Sequence, residues 1–123
     1  MTHRTHTIAH YQAIFDHAKE YIRNNYNTVR ITLDDFCIEH GYSRRHAQRA
    51  FNHFNTTWRK QLSSVRMHEA VKLLRDSNLA VKDIASSVGY MQTHSFVAAF
   101  RAHCGVSPEQ YRSNYRGGEQ RAA

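Results

Sequence analysis

Two cysteines in 123 residues are too few for a disulfide scaffold, so Cys37 and Cys104 read as reduced thiols of a cytoplasmic protein. No charged-then-apolar leader opens the chain, and no uninterrupted apolar run exceeds a few residues. Neither export nor a membrane span is therefore expected. The chain also lacks a Ser/His/Asp grouping, a phosphate loop, paired acids and a His-Glu-x-x-His motif, so an enzyme is not expected. Acidic residues are few: ten Asp and Glu stand against 17 Lys and Arg, a net charge of +7. None lies between Glu39 and Glu69, or between Asp83 and Glu109. A basic chain of this kind points to an anionic partner, with nucleic acid first.

What is present is organised around one long helix expected over residues 57–77. At 100° per residue, Trp58, Leu62 and Val65 fall on one side, and Met67, Ala70, Val71 and Leu74 on nearly the opposite side. A stripe that changes face suits a connector giving each half to a different core. The flanking segments repeat at an offset of 48 residues. In LDDFCIEHGY, Leu33, Asp35, Phe36, Cys37, Gly41 and Tyr42 match Val81, Asp83, Ile84, Ala85, Gly89 and Tyr90 of VKDIASSVGY. Each copy reads as a helix-turn-helix. The small residue lets the second helix cross closely over the first, and the glycine supplies the positive φ of a tight turn.

Ahead of the first copy, Tyr11, Ile14, Phe15, Ala18 and Ile22 predict an amphipathic helix over 8–25 that covers it. Thr32 is the expected N-cap of a helix over 33–40, and Ser43 of one over 43–54. On the latter, Ala47, Phe51 and Phe54 face inward. Arg44, Arg45, Gln48, Arg49 and Asn52 form the polar side. Arginine can place two donors on guanine, and glutamine or asparagine can pair with adenine in the major groove, so these are candidate DNA-binding residues. In the second copy, a helix over 91–104 turns Phe96, Ala99 and Phe100 inward. It offers Gln92, Thr93, His94, Ser95 and Arg101 outward, a thinner reading surface with Ala98 at its middle. Gly105 should end that helix and Ser107-Pro108 start another, packed back through Tyr111 and Tyr115. His3, His6 and His10 have no cysteines or acids arranged around them and read as solvated histidines near a terminus. No metal site and no cofactor is expected.

These residues identify a resemblance. VKDIASSVGYMQTHSFVAAFRAHCGVSPEQYR is similar to the C-terminal signature of the AraC/XylS family of bacterial transcription regulators. Leu62, Arg66, Ala70, Leu73 and Leu74 fit that family's connector. The resemblance runs from about Ile31 to Arg112. It implies an all-α fold of about seven helices, with two helix-turn-helix subdomains joined by a connector helix and the second helix of each motif entering successive major grooves. It also implies promoter DNA and RNA polymerase as partners, a monomer on DNA, and a nucleoid-associated place in the cytoplasm. Carried over by position, base contacts fall on Arg45, Gln48 and Arg49, and on Thr93, His94, Ser95 and Ala98. The small stand-alone activators that the chain resembles in length have an arginine where Ala98 stands.

The expected organisation is an N-terminal helix plus first helix-turn-helix over 1–56, the connector over 57–77, the second helix-turn-helix with a C-terminal helix over 78–116, and a flexible tail over 117–123. The leading function is a transcriptional activator. The alternatives are the DNA-binding half of a larger effector-regulated protein, and an accessory DNA-binding domain of a recombinase or transposase. A connector of some 20 residues rises about 30 Å, close to the roughly 34 Å between major grooves one turn apart.

Overall fold

The computed structural model describes the backbone of residues 2–122 and the side chains of residues 8–117. Over the described residues the chain is seven helices without a strand: α1 (Thr2–Asn25), α2 (Leu33–His40), α3 (Arg44–His53), α4 (Trp58–Asp76), α5 (Val81–Ser87), α6 (Thr93–Cys104) and α7 (Pro108–Ala122). They form two compact units, one of Met1–Tyr26 with Arg30–Leu62 and the other of Asn27–Val29 with Ser63–Ala123. The division falls inside α4, where its apolar stripe changes face. Composition suggests a first helix from Ile8 and a loose tail over 117–123, yet the backbone is helical from Thr2 and through Ala122. Helical hydrogen bonding can run through Gly117-Gly118 at about 1 kcal/mol per glycine relative to alanine. The side chains of His3, His6 and residues 118–123 lie outside the described residues.

In the first unit, Ile14, Phe15 and Ala18 of α1 pack on Phe36 and Cys37 of α2 and on Ala47, Ala50 and Phe51 of α3. Phe15 stacks on Phe54 at 4.4 Å and meets Phe51 edge-on at 5.4 Å. Trp58 closes this core and donates its indole N–H to the Ile31 carbonyl at 3.2 Å. Thr32 caps α2 as expected. Its hydroxyl accepts from the Asp35 N–H at 3.1 Å while the Asp35 carboxylate accepts from the Thr32 N–H at 3.1 Å, a reciprocal box worth about 1 kcal/mol. His10 is not the solvated histidine expected of it: it is half-buried, with its ring edge-on to His46 at 5.6 Å and to Tyr42 at 6.1 Å. His10 lies one turn before the buried Ile14 on the inward side of α1, which brings it over the start of α3. Among the described residues no group of three or more metal-ligating side chains comes together.

Both turns use the predicted glycine. Gly41 has φ 74° and Gly89 φ 98°, and the following tyrosine N–H returns to the small residue of the preceding helix: Tyr42 to Cys37 O at 3.0 Å, Tyr90 to Ala85 O at 2.9 Å. Cys37 and Ala85 are buried, as close helix crossing requires. The repeat does not keep its offset beyond these tyrosines. The N-caps are Ser43 and Gln92, and the inward faces pair Ala47 with Phe96 and Phe51 with Phe100, an offset of 49. Met91 is the extra residue.

In the second unit, Met67, Ala70 and Leu74 of α4 belong to a buried set with Ile84, Ala85, Val88, Phe96 and Phe100. Gly105, at φ 83°, ends α6, and the Ser107 hydroxyl accepts the Gln110 N–H at 3.1 Å to cap α7. Tyr111 meets Phe100 edge-on at 5.9 Å, and Arg75 lies over the rings of Tyr111 and Tyr115. Not every cation is free for an external anion. Arg66 is buried, donates to the Thr28 carbonyl at 2.8 Å and lies 5.2 Å over the Tyr90 ring. Burial pushes its guanidinium below the ordinary value, and Tyr90 opposes that shift. Arg112 donates to the carbonyls of Leu74, Ser77 and Leu79, and Arg116 to Ser77 and Asn78. Both tie down the segment just after α4, and Arg112 also supplies a donor to Leu74 O in the last turn of that helix, where carbonyls run out of helical partners.

Candidate nucleic-acid interface

The first candidate reading helix is α3. Its start is fixed by Ser43, whose hydroxyl accepts from the His46 N–H at 3.1 Å. Ala47, Ala50 and Phe51 hold one side in the core, so Arg44, Arg45, Gln48, Arg49 and Asn52 are all exposed on the other. No acid occupies its first turn. The five candidates are not equivalent, because Arg44 Nη1 is 3.1 Å from Asp34 Oδ2 of α2. A cleft of about 440 Å³ opens beside this face, lined by Gln48, Asn52 and Arg59 with Phe51 and Trp58 among its walls. Arg59 was not among the sequence candidates. The acid-free interval from Glu39 to Glu69 contains it, but only the turn between α3 and α4 carries it to the edge of this exposed face.

The second candidate reading helix is α6, buried along Phe96 and Phe100. Thr93, His94, Ser95 and Arg101 are exposed, as is Ala98, and Gln92 is the N-cap. The Gln92 side chain makes no capping bond. With the offset of 49, Arg44, Arg45, Gln48, Arg49 and Asn52 correspond to Thr93, His94, Val97, Ala98 and Arg101. Gln48 and Arg49 thus have apolar counterparts. The ten candidate residues fall into two sets of five, one on each unit. Each set is assembled by its own helix and exposed by its own core.

Two exposed helix faces, one rich in Arg, Gln and Asn, offer donors suited to phosphates and base edges. Among the described residues no helix is long and apolar enough to cross a membrane. Comparison with known proteins bears on what these faces meet. Residues 36–114 match the family described as a helix-turn-helix domain. The raffinose operon transcriptional regulatory protein RafR of Pediococcus pentosaceus is 36% identical over 101 residues, 81% of this chain. The HTH-type transcriptional activator AarP of Providencia stuartii is 36% identical over 86 residues, 69% of this chain. The matches span 36% of RafR and 64% of AarP. Among solved structures, the C-terminal domain of AraT, a response regulator from Geobacillus stearothermophilus, superposes with a TM-score of 0.79 at 30% identity, covering 82% of this chain and 84% of that one. The chain belongs to the AraC-type helix-turn-helix family.

Proposed function

We propose that this chain is a cytoplasmic transcriptional activator that binds an asymmetric promoter site as a monomer, with α3 and α6 in successive major grooves, and recruits RNA polymerase. The observation that carries this reading is the exposed face of α3. Arg45, Gln48 and Arg49 stand in water beside Asn52 while the opposite face is locked into the core, leaving bidentate donors positioned without an internal partner among the described residues. A single chain carries both readers, separated by the 19-residue α4. Two half-sites could then be occupied without a dimer, unlike most helix-turn-helix regulators. The name of AarP supports activation as the outcome.

Selection of sites from random DNA, followed by footprinting and sedimentation of the complex, tests the reading. One protein per site and two protected patches about a helical turn apart are expected. Neutralisation of about six phosphates should give log K against log salt a slope near −5. A slope shallower than about −2 on the selected site excludes this mode of binding. Transcription in a purified system with polymerase, with and without the protein, then separates activation from mere occupancy.

A second reading is favoured by the 36% share of RafR that the match covers. In it the chain acts as the DNA-binding part of a larger effector-regulated protein. A longer reading frame around the same coding sequence, and effector-dependent DNA binding by its product, would decide for it.

A further inference from the structure

Met91 has no counterpart in the first unit, where the tyrosine after the glycine leads straight to the N-cap. In the second unit it stands between Tyr90 and the N-cap Gln92. An apolar residue just ahead of an N-cap ordinarily folds onto the fourth residue of the helix as a hydrophobic staple. Here that fourth residue is Phe96, which is 0% exposed, and yet Met91 remains 68% exposed. Its thioether chain therefore stands in water beside the first turn of α6, the end of a reading helix that reaches base edges.

The rest of the second reading face has moved in the same chemical direction. Where α3 presents Gln48 and Arg49, α6 presents Val97 and Ala98, which leaves Arg101, in the place of Asn52, as the one arginine of α6. One feature of the major groove rewards an apolar contact, the 5-methyl group of thymine. A flexible unbranched methionine can adapt to it.

We infer that Met91 is a specificity-determining residue of the second reader. It packs on the 5-methyl group of a thymine, so that α6 selects its half-site by apolar contact where α3 selects by hydrogen bonding. This rests on the proposed entry of α6 into the major groove.

The test uses the whole chain on its selected site, with affinity read by fluorescence anisotropy. Each thymine of the second half-site is replaced in turn by deoxyuridine, which removes one methyl group and nothing else. At one position the wild type should weaken about fourfold, the effect of one methyl leaving an apolar contact. Met91→Leu should keep that sensitivity. Met91→Gln, similar in length but polar, should bind the thymine and uracil sites equally. Wild-type binding indifferent to every uracil, or Met91→Gln as uracil-sensitive as the wild type, overturns the inference. His94→Ala and Arg101→Ala in the same assay separate the two levels. If they weaken binding while the Met91 variants and uracil do not, α6 enters the groove and Met91 is not its reader. If none of these changes matters, the placement of α6 in the groove fails, and the inference with it.

Discussion

Arg44 and Asp34 are joined across α2 and α3, Nη1 to Oδ2 at 3.1 Å. That contact makes Arg44 unlike Arg45 and Arg49, whose positions on the same exposed face carry no ion pair among the described residues. Both partners are more than half exposed, 62% and 52%, so the pair is screened and worth about 1 kcal/mol or less. An exposed pair of this strength can be exchanged for a phosphate. Asp34→Asn should raise affinity for DNA about two- to fivefold at low salt, with the gain shrinking as salt is added. Unchanged affinity at low salt would mean that Arg44 leaves Asp34 without cost on binding, or does not touch DNA.

Arg112 should matter for stability and not for readout. Its guanidinium reaches three carbonyls, Leu74 at 3.2 Å, Ser77 at 3.2 Å and Leu79 at 2.7 Å, at the end of α4. Charged hydrogen bonds of this kind contribute about 1.5–3 kcal/mol each in favourable cases, so Arg112→Ala should cost about 2 kcal/mol in a denaturant titration. A lysine has one nitrogen and cannot span three acceptors. Arg112→Lys should recover less than half of the loss, and full recovery would show that charge at the helix end, not the fork, is what counts.

Cys37 predicts a pH dependence. Burial, and then the charge of Asp34, pushes its thiol above the ordinary range, with Arg44 opposing. The folded chain therefore holds this proton more tightly than the unfolded chain. Above the usual thiol value, near 8.5, the unfolded state ionises first and stability falls as pH rises. Cys37→Ala, which copies Ala85 of the other motif, removes this contribution. The stability difference between wild type and variant should move in the variant's favour between pH 8 and pH 10. A difference that stays constant over that range would refute the assignment to Cys37.

The two helix-turn-helix motifs were legible because their demands are local. A small residue four positions before a glycine is a packing requirement, and Cys37–Gly41 and Ala85–Gly89 display it in the sequence itself. The caps at Thr32, Ser43 and Ser107 follow from chemistry within three residues. What was hidden depends on distance in sequence. The partners of Arg112 lie 33 to 38 positions away, and Arg59 reaches the reading face only through a turn. The shift of the repeat from 48 to 49 was already implicit in the inward pairs Ala47 with Phe96 and Phe51 with Phe100, and the caps at Ser43 and Gln92 place the extra residue at Met91.

The two readers should carry unequal hydrogen-bonded information. Arg45, Gln48 and Arg49 are exposed together on α3, and each can make a paired contact worth about 1–3 kcal/mol of discrimination. Their counterparts are His94, Val97 and Ala98, of which only His94 can form a hydrogen bond through its side chain. Ala98 stands opposite Arg49 in the repeat and is exposed, so an arginine there has room to extend. Arg49→Ala should weaken binding by about tenfold and flatten preference at one position of the first half-site. Ala98→Arg should create a guanine preference in the second half-site and strengthen binding to sites that carry it. Per-base affinity profiles of the wild type and both variants measure this. Guanine-selective positions already present in both half-sites of the wild type would show that residues other than Val97 and Ala98 supply the donors on α6. An Ala98→Arg profile identical to the wild type would place that residue away from the base edges. The corresponding position, Arg49, would then lose its claim to read a base through the repeat.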